Sequence, residues 1–286
     1  MNQHPKVSVC MITYGHEKYI RQAIEGVLMQ QFDFEVELII ANDCSPDQTD
    51  QIIQNILENH PRGCWVKYMR HDKNLGMMPN FIFAMQECQG KYIALCEGDD
   101  YWTDPLKLQK QVDFLEANSD YSVCFHKVNI LQEGIIKEDT ITAKVPETTT
   151  INDLAKGNYI HTCSVVYRNN LFFELPKYFK VSPVGDYFLH LLNARYGNIK
   201  CFDEIMGVYR IHGTSVWSSK TQKEQKLLWI PFLENIKPNF DEEVQDVLNA
   251  QIVFYTKPKE KEKKVWDVRN IKNQIIQKVK RLIQVY

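Results

Sequence analysis

The segment ALCEGDDYW, residues 94–102, places three carboxylates directly after an apolar run. Residues 91–96 (KYIALC) have the composition of a buried β-strand, and Glu97, Asp99 and Asp100 follow at once. Carboxylates crowded in this way repel one another and lower the stability of the fold. Two interpretations account for the cluster: a divalent cation bound by the oxygens, or a solvated turn without a further role. The position at the end of a buried strand favours the cation.

Strand and helix patterns alternate on the N-terminal side of this segment. Short apolar, β-prone runs lie at residues 7–13 (VSVCMIT), 37–41 (ELIIA), 66–70 and 91–96, with amphipathic helix patterns between them. This alternation predicts an α/β fold with a mostly parallel, Rossmann-like central sheet flanked by helices. Ligands of such sheets bind beyond the carboxyl ends of the strands. Polar clusters lie at those ends, at residues 13–17, 42–45 and 97–100.

The remainder of the chain predicts a helix, a strand, a polar excursion and a helical extension. These features lie at residues 106–117, 122–130, 131–150 and 220–254, and the excursion, rich in Thr, Glu and Lys, indicates a mobile loop. The expected organisation is a catalytic domain, a helical extension and a basic amphipathic tail, at residues 1–218, 219–256 and 257–286. The catalytic domain is expected to have a nucleotide-binding half, 1–130, and an acceptor-side half, 131–218.

Composition excludes several classes of protein. The 286 residues include 34 basic and 36 acidic side chains, and the net charge of −2 does not indicate a nucleic-acid partner. The eight cysteines form no C-x-x-C pair, so they indicate small buried side chains in a reducing compartment rather than a zinc site. No apolar run approaches the roughly 20 residues of a spanning helix, and no secretory signal pattern is present. We therefore expect a cytoplasmic protein.

The order of the motifs resembles the inverting nucleotide-sugar glycosyltransferases of family 2, which have the GT-A fold. The motifs, spread over residues 7–218, are VSVCMITY, LIIANDCSPDQT, NLGMMPNFIFAMQECQGKYIALCEGDD, GDYFLHLL and VYRIHG. The resemblance implies metal-dependent transfer of a sugar from a nucleotide-sugar donor of the UDP class. The implied acceptor is a glycan or a lipid-linked molecule of cell-surface polysaccharide synthesis, and the implied cofactor is Mn²⁺ or Mg²⁺.

Two other functions fit parts of the sequence. A non-catalytic protein that binds nucleotide sugars, or assembles with the synthesis machinery, would keep the same fold without turnover. Release of nucleoside diphosphate from a donor distinguishes this alternative from a transferase. A dinucleotide-dependent oxidoreductase is disfavoured, because TYGHEKY follows the first strand where a G-x-G-x-x-G turn would be required.

The resemblance assigns the metal to the acidic cluster. It makes Asp100 the metal ligand, places Asp99 at the donor ribose or the metal, and makes His212 a ligand or neighbour of the metal and diphosphate. Glu97 stands where relatives commonly have aspartate. A divalent ion held by one or two carboxylates and by substrate phosphates agrees with this assignment. A lone histidine such as His212 is nevertheless more often structural.

The resemblance also assigns a nucleotide pocket. Asp43 would hydrogen-bond the base, Thr13 and Tyr14 would flank it, and Arg210 would meet phosphate oxygens. The full set of expected donor contacts is Thr13, Tyr14, Glu17, Asp43, Asn74, Gly76, Asp99 and Arg210. Each has a structural alternative: Asp43 with Ser45 fits an Asx turn, Glu17 fits a helix cap, and the neighbouring Asn80 fits a cap equally well.

Asp186 is the expected catalytic base. An inverting transfer needs a base that takes the acceptor hydroxyl proton, and the family places an acidic residue at a helix start like that of GDYFLHLL. A carboxylate at a helix N-terminus also stabilises the helix, so capping is the alternative role. Trp217 has two roles open to it, a closing lid over the donor and a packed core position.

The tail at residues 257–286 has its own charge and pattern. It carries 10 basic and 3 acidic residues, and its apolar residues recur at steps of three and four. Such a helix fits an anionic membrane interface, which would place the protein peripherally on the inner face of the cell membrane. The alternatives are packing on the catalytic body and pairing in a homodimer.

Overall fold

The computed structural model of the chain describes residues 4–213, 217 and 220–256. Its first half alternates strands and helices in the order β1 Val7–Thr13, α1 Ile20–Leu28, β2 Val36–Asn42, α2 Thr49–Asn59, β3 Val66–Arg70, α3 Met77–Glu87 and β4 Tyr92–Leu95. The strands predicted at 7–13 and 66–70 have these same bounds. The uninterrupted apolar and β-prone composition of 7–13 explains why the sequence locates β1 so well.

The second half adds short antiparallel strands and the C-terminal helices. The elements are β5 Tyr101–Trp102, α4 Lys107–Ala117, β6 Tyr121–Gln132, β7 Ile135–Glu138, β8 Thr148–Thr149, α5 Ile151–Leu154, β9 Val166–Arg168, α6 Gly185–Ala194, β10 Asn198–Ile211, α7 Gln222–Ile236 and α8 Glu242–Thr256. Helices α7 and α8 confirm the predicted helical extension. Single turns of 3₁₀ helix occur at Gly63–Trp65, Thr162–Ser164, Lys177–Val181 and Lys237–Asn239.

One sheet connects all ten strands. Its main path runs β3-β2-β1-β4-β9-β6-β10-β5, with β7 paired to β6 and β8 paired to β10. Strands β3, β2, β1 and β4 are parallel, β9 is antiparallel to both of its neighbours, and β6 and β10 are parallel. The predicted Rossmann-like sheet is therefore confirmed, with antiparallel additions on the C-terminal side.

The register brings the acidic segment beside the end of β1. Thr13 lies opposite Asn42, so β1 and β2 end level, whereas β4 ends at Leu95 opposite Cys10. The chain after β4 continues along β1, and the Gly98 amide donates to the Ile12 carbonyl at 3.0 Å. A Cβ on Gly98 would lie 2.7 Å from the Thr13 hydroxyl oxygen, so this close approach requires glycine.

Two hydrophobic clusters cover the faces of the sheet. Helices α1, α2 and α4 pack on one face, against alternate residues of β1 such as Val9 and Met11. Helices α3 and α6 pack on the other face, and Phe232 of α7 and Leu248 of α8 belong to the same cluster as Phe188 of α6. The helical extension therefore shares the core of the body. No helix in the described part of the chain is long and apolar enough to cross a bilayer.

The predicted loop at 131–150 is corrected by the structure. Its first part is a hairpin in which Gln132 of β6 pairs with Ile135 of β7, and its last part is β8. Asp139 is buried and accepts hydrogen bonds from the Ile141 and Thr142 amides, each at 2.9 Å. These contacts hold the turn that follows β7, and the main part of the segment without regular structure is residues 139–147. The predicted amphipathic tail, residues 257–286, lies outside the described residues.

Candidate active site

A cavity of about 1400 Å³ opens beyond the carboxyl ends of β1, β2 and β4. It is lined by seven of the residues that the sequence nominates, namely Thr13, Tyr14, Asp43, Asn74, Gly76, Asp99 and Asp186. Glu17, Asp100, Arg210 and His212 are not among the lining residues. The parallel strand ends thus bring together residues that are distant in the sequence, as expected for a sheet of this kind.

Asp43 lines one end of the cavity and is a bidentate acceptor. Its Oδ1 accepts from the Leu75 amide at 2.6 Å and its Oδ2 from the Gly76 amide at 2.9 Å. The Asn74 side-chain amide donates to the Asp43 carbonyl at 3.3 Å. Gly76 has φ of +94°, a conformation that other residues adopt only with strain. The carboxylate therefore fixes the loop that forms one wall of the pocket.

The Asx turn proposed for Asp43 belongs to its neighbour. Asn42 Oδ1 accepts from the Ser45 amide at 2.9 Å and from the Ser45 hydroxyl at 2.6 Å, while its Nδ2 donates to Tyr68 at 2.8 Å. Asn42 is fully buried and meets only structural partners. The two adjacent polar residues consequently have different roles, since Asn42 holds the turn and Asp43 faces the cavity.

The end of β1 presents a hydroxyl and an aromatic ring. Thr13 is buried, and its Oγ1 has no hydrogen-bond partner among the described residues. Tyr14, which follows it, is 48% exposed and lines the cavity. A buried hydroxyl without a partner costs free energy unless a ligand or water satisfies it. This end of the cavity is therefore equipped for a polar, planar ligand.

Glu17 lies outside the cavity and joins two loops. Its backbone amide donates to Asp47 Oδ2 at 3.0 Å, and its carboxylate accepts from the Gln48 amide at 3.0 Å. These reciprocal bonds hold the chain after β1 against the chain after β2. The structure gives Glu17 a supporting position rather than contact with the donor.

The acidic turn divides its carboxylates between the cavity and the interior. Glu97 and Asp99 line the cavity, whereas Asp100 is 1% exposed and is not among the lining residues. Asp100 Oδ1 accepts from the Arg210 amide at 2.7 Å, and its Oδ2 has no partner among the described residues. Of the two aspartates expected at the metal, Asp99 is therefore the one that lines the cavity.

Arg210 supports the acidic turn from behind. Its guanidinium donates to the Asp99 carbonyl and to the Gln22 side chain, and it lies over the rings of Tyr19 and Tyr101 at 5.1 and 4.5 Å. Its donors face protein groups, so the structure does not present it to a phosphate in the cavity. Strand alternation accounts for this, because Tyr209 and Ile211 on either side of Arg210 line the cavity instead.

Two histidines meet Asp99 at the cavity. Asp99 Oδ2 lies 2.9 Å from His212 Nε2 and 3.9 Å from His16 Nε2. Burial raises the pKa of Asp99, but the His212 hydrogen bond and the two imidazoles outweigh it and hold the pKa below its ordinary value. His16 was not assigned from the sequence, although its place in the polar cluster after β1 is a signal that could have nominated it.

The other two carboxylates of the turn have raised pKa values. Burial, followed by the charge of Asp99, raises the pKa of Glu97 and of Asp100 well above the ordinary range. The turn therefore favours negative charge on Asp99 over charge on Glu97 and Asp100. A divalent cation beside Asp99 would reverse this balance by stabilising every nearby carboxylate.

The residues of the turn fit a metal that substrate helps to hold. Within residues 4–213, 217 and 220–256, no group of three or more His, Cys, Asp or Glu side chains forms a ready-made metal site. Asp99 and His212 are in contact and would supply two ligands, and the buried Asp100 Oδ2 next in the chain has no partner among the described residues. Mg²⁺ and Mn²⁺ sites of nucleotide enzymes commonly have one or two protein ligands and complete their shell with phosphate and water.

Asp186 stands on the opposite side of the acidic turn. It lies in the first turn of α6 and lines the cavity, and its Oδ2 accepts from the Thr162 hydroxyl at 3.2 Å. Its charge contributes to the raised pKa of Glu97, which shows that the two carboxyl groups are close. The carboxylate is thus held by one hydrogen bond and open to the cavity.

The far wall of the cavity comes from the corrected excursion and the helical extension. Asp139 Oδ2 lies 3.1 Å from His161 Nε2, and both residues line the cavity. Burial alone would raise the pKa of Asp139, but the hydrogen bonds from His161 and Thr142 hold it well below its usual range. Trp217 also lines the cavity, and its ring centroid lies 5.7 Å from that of Trp229.

The sheet topology and the acidic cavity define a glycosyltransferase fold of the GT-A class. The family described as Glycosyl transferase family 2 matches residues 8–172, so the chain belongs to this family. An uncharacterized protein of Mycobacterium tuberculosis is 37% identical over 222 residues, covering 77% of this chain and 63% of that protein. The chain thus spans less than two thirds of that relative. Bacillus subtilis TuaG, named for a proposed role in teichuronic acid biosynthesis, is 28% identical over 239 residues, covering 82% and 89%.

Solved structures share the fold. S. aureus TarS 1–349 in complex with UDP-GlcNAc superposes with a TM-score of 0.65 at 19% identity, covering 87% of this chain and 72% of that one. The mannosyltransferase PcManGT from Pyrobaculum calidifontis, in complex with GDP-Man and Mn²⁺, has a TM-score of 0.66 at 13% identity, covering 88% and 70%. At these identities the likeness confirms the expected GT-A fold alone.

Proposed function

We propose that the protein is an inverting glycosyltransferase that moves a sugar from a nucleotide-sugar donor to a glycan or lipid-linked acceptor of polysaccharide synthesis. One observation carries the proposal: Asp43, Asp99 and Asp186 line the same cavity although 143 positions of sequence separate the first from the last. Family membership and the nucleotide sugars bound in TarS and PcManGT support it. The relative TuaG supports a role in surface polysaccharide synthesis.

The donor occupies the end of the cavity formed by β1 and β2. Asp43 receives the ring N–H of the base, Tyr14 contacts its face, and the Thr13 hydroxyl satisfies a polar group of the nucleoside. The 74–76 loop, which Asp43 already orders, closes over the base. This arrangement orients the donor so that its sugar points toward Asp186 on the opposite wall. Pre-ordering of the loop reduces the entropy lost when the donor binds.

Asp99 and His212 would hold Mn²⁺ or Mg²⁺ next to the diphosphate of the donor. When bound, the cation neutralises the negative charge that grows on the departing diphosphate. Arg210 contributes indirectly, because its bonds to the Asp99 carbonyl and to Asp100 keep the turn in position. Asp100 remains the second candidate ligand through its partnerless oxygen.

Asp186 takes the proton of the acceptor hydroxyl while that oxygen attacks the anomeric carbon opposite the leaving diphosphate. Attack on the face opposite the leaving group inverts the configuration of the sugar. The Thr162 hydrogen bond to Asp186 Oδ2 fixes the carboxylate and leaves Oδ1 for the acceptor proton. General base catalysis of this kind contributes typically about 10²–10⁴ in rate.

The exposed surface of the helical extension supports a peripheral membrane location. Leu227, Val253 and Phe254 are 65%, 51% and 71% exposed, and the basic segment 257–286 follows α8 directly in the sequence. Apolar residues next to basic residues favour binding to anionic lipid surfaces. Sedimentation with anionic vesicles tests this location, and binding to neutral vesicles alone, or dimer formation in their absence, would contradict it.

The experiment for the proposed function has two stages. Thermal stability is first measured with UDP-, GDP- and dTDP-sugars in the presence of Mn²⁺, because a ligand that binds the native state raises its stability. Release of nucleoside diphosphate from the stabilising donor is then measured. Binding without release under any metal condition would support the non-catalytic alternative and refute transfer.

The variant Asp186→Asn tests whether Asp186 is the catalytic base. We expect the stabilisation by donor to be retained and the transfer rate to fall by about 10²–10⁴. Asp153→Asn is the matched control, because Asp153 also lies in the first turn of a helix but does not line the cavity. Full activity of Asp186→Asn, or an equal loss in Asp153→Asn, would refute the assignment of the base.

A further inference from the structure

One face of α7 forms a cavity wall that the donor does not need. Gln222, Gln225, Lys226 and Trp229 all line the cavity, and their spacing of three, one and three residues places them on one side of the helix. Tyr255 of α8 extends the same wall. The family match ends at residue 172, so this wall lies in the part of the chain that the family description does not cover.

The wall is attached to the element that carries the proposed base. The Trp229 ring stacks on Tyr187 with a centroid distance of 5.4 Å and an interplanar angle of 7°, and Tyr187 directly follows Asp186 in α6. Trp229 Nε1 also donates to Gln251 of α8 at 3.1 Å. Trp229 and Asp186 both line the cavity, so a molecule seated on this wall shares the cavity with the proposed base, to which its acceptor hydroxyl must reach.

The side chains of the wall have the chemistry of a carbohydrate site. Aromatic rings such as Trp229 pack against the apolar face of a sugar, and amide groups such as those of Gln222 and Gln225 hydrogen-bond its hydroxyls. The same combination would bind an uncharged sugar equally well. The charge on Lys226 adds a further requirement.

Lys226 provides a positive charge without a protein counter-ion. Its ammonium group makes no hydrogen bond or ion pair with the part of the chain that the structure describes, and it lines the cavity. The other lysine of the lining, Lys137, donates to the Gln132 side chain at 3.2 Å. The opposite wall carries two carboxylates, Asp139, which contacts His161, and the exposed Glu138. The α7 wall itself carries no carboxylate, so an anionic group held against it meets Lys226 there.

We propose that the α7 wall is the acceptor subsite and that it takes an acidic glycan, with a sugar ring against Trp229 and a carboxylate or phosphate at Lys226. This inference rests on the proposed function, because it names the acceptor class of the same cavity. It assigns the donor to the Asp43 end and the acceptor to the α7 end. The Lys226 ammonium can bind either a carboxylate or a phosphate, because it acts as a point charge.

The test uses three tetrasaccharides and the full chain saturated with UDP and Mn²⁺. The probes are maltotetraose, a phosphorylated maltotetraose and tetragalacturonate, and binding is followed by tryptophan fluorescence and by saturation-transfer NMR. We expect at least one acidic probe to bind about tenfold more tightly than maltotetraose, which corresponds to about 1.4 kcal/mol. The acidic probe that binds more tightly identifies the source of the charge.

Lys226→Met should abolish the preference for the acidic probe and leave UDP affinity unchanged. Lys223→Met is the matched control, because Lys223 lies on the exposed side of the same helix and does not line the cavity. Trp229→Phe should keep the fold and weaken all three probes, since a smaller ring covers less of the sugar. An acidic preference that survives Lys226→Met, or a loss of UDP affinity in that variant, would overturn the proposal.

Failure of this inference is distinguishable from failure of the proposed function. Release of nucleoside diphosphate together with equal binding of all three probes would overturn the acidic subsite and leave the transferase intact. Binding that depends on Lys226 without any turnover would support the subsite and refute the transferase.

Discussion

Replacing Asp43 by asparagine should weaken both the loop at 74–76 and the binding of a nucleotide in the cavity. The Asp43 carboxylate accepts two backbone N–H groups, from Leu75 at 2.6 Å and from Gly76 at 2.9 Å. In Asp43→Asn one oxygen becomes an NH₂ group that faces one of these donors, so one bond is lost and one buried N–H is left without an acceptor. The loop at 74–76 should then move away from the cavity.

The magnitude follows from the type of bond that is lost. A hydrogen bond to a charged group contributes about 1.5–3 kcal/mol, and Asp43 is only 2% exposed, so water does not replace it. We therefore expect the free energy of unfolding to fall by about 3 kcal/mol. Under the proposed function the same carboxylate binds the base, so nucleotide affinity should also fall by at least about tenfold.

Urea unfolding and calorimetric titration with UDP measure the two effects. Asp47→Asn is the control: its carboxylate accepts from the Glu17 and Thr49 amides, each at 3.0 Å, but Asp47 does not line the cavity. Asp47 is partly exposed, so its loss of stability should be smaller, and its UDP affinity should equal that of the wild type. Equal losses of UDP affinity in the two variants would show that general loosening, rather than the pocket, explains the result.

Two further predictions concern the metal and a buried lysine. Asp99→Asn should lower the affinity for Mn²⁺ in the presence of UDP by more than about tenfold, as measured by electron paramagnetic resonance. Asp100→Asn should mainly lower thermal stability. The reverse pattern would make Asp100 the ligand. Burial lowers the pKa of Lys107 from 10.5 to about 8, and the unfolded chain binds the proton more tightly. The difference in free energy of unfolding between the wild type and Lys107→Met, measured by denaturant titration, should therefore rise by about 3 kcal/mol between pH 8 and pH 10.5. A difference that does not change with pH would refute the lowered pKa of Lys107.

The sequence predicts the parallel half of the fold because three of its four strands, β1, β2 and β4, are covered on both faces. A segment such as 7–13 has little polar alternation, so its bounds can be read directly and agree with β1. The excursion at 131–150 could not be read in this way. Its order depends on Asp139, whose partner His161 lies 22 positions later and becomes adjacent only in the folded chain.

The same limit explains the assignment of Asp99 and Asp100. The sequence indicates that a carboxylate of the EGDD turn faces the cavity, but it does not indicate which one, since adjacent residues of a turn point in different directions. The backbone amide of Arg210, on a strand 110 positions later, donates a hydrogen bond to Asp100 and so keeps Asp100 out of the cavity lining. Alternation along β10 could have shown that Arg210 faces away from the cavity if Tyr209 faces into it.

The division of the cavity between two parts of the chain has a consequence for specificity. Residues that would hold the nucleotide, including Thr13, Asp43 and Asp99, lie within the family match at 8–172. The base, Asp186, and the α7 wall lie beyond it and are joined by the stacking of Trp229 on Tyr187. Changes in α7 can therefore alter the acceptor without disturbing the donor pocket. Exchange of Lys226 alone should accordingly change which acceptor is used while the choice of nucleotide stays the same.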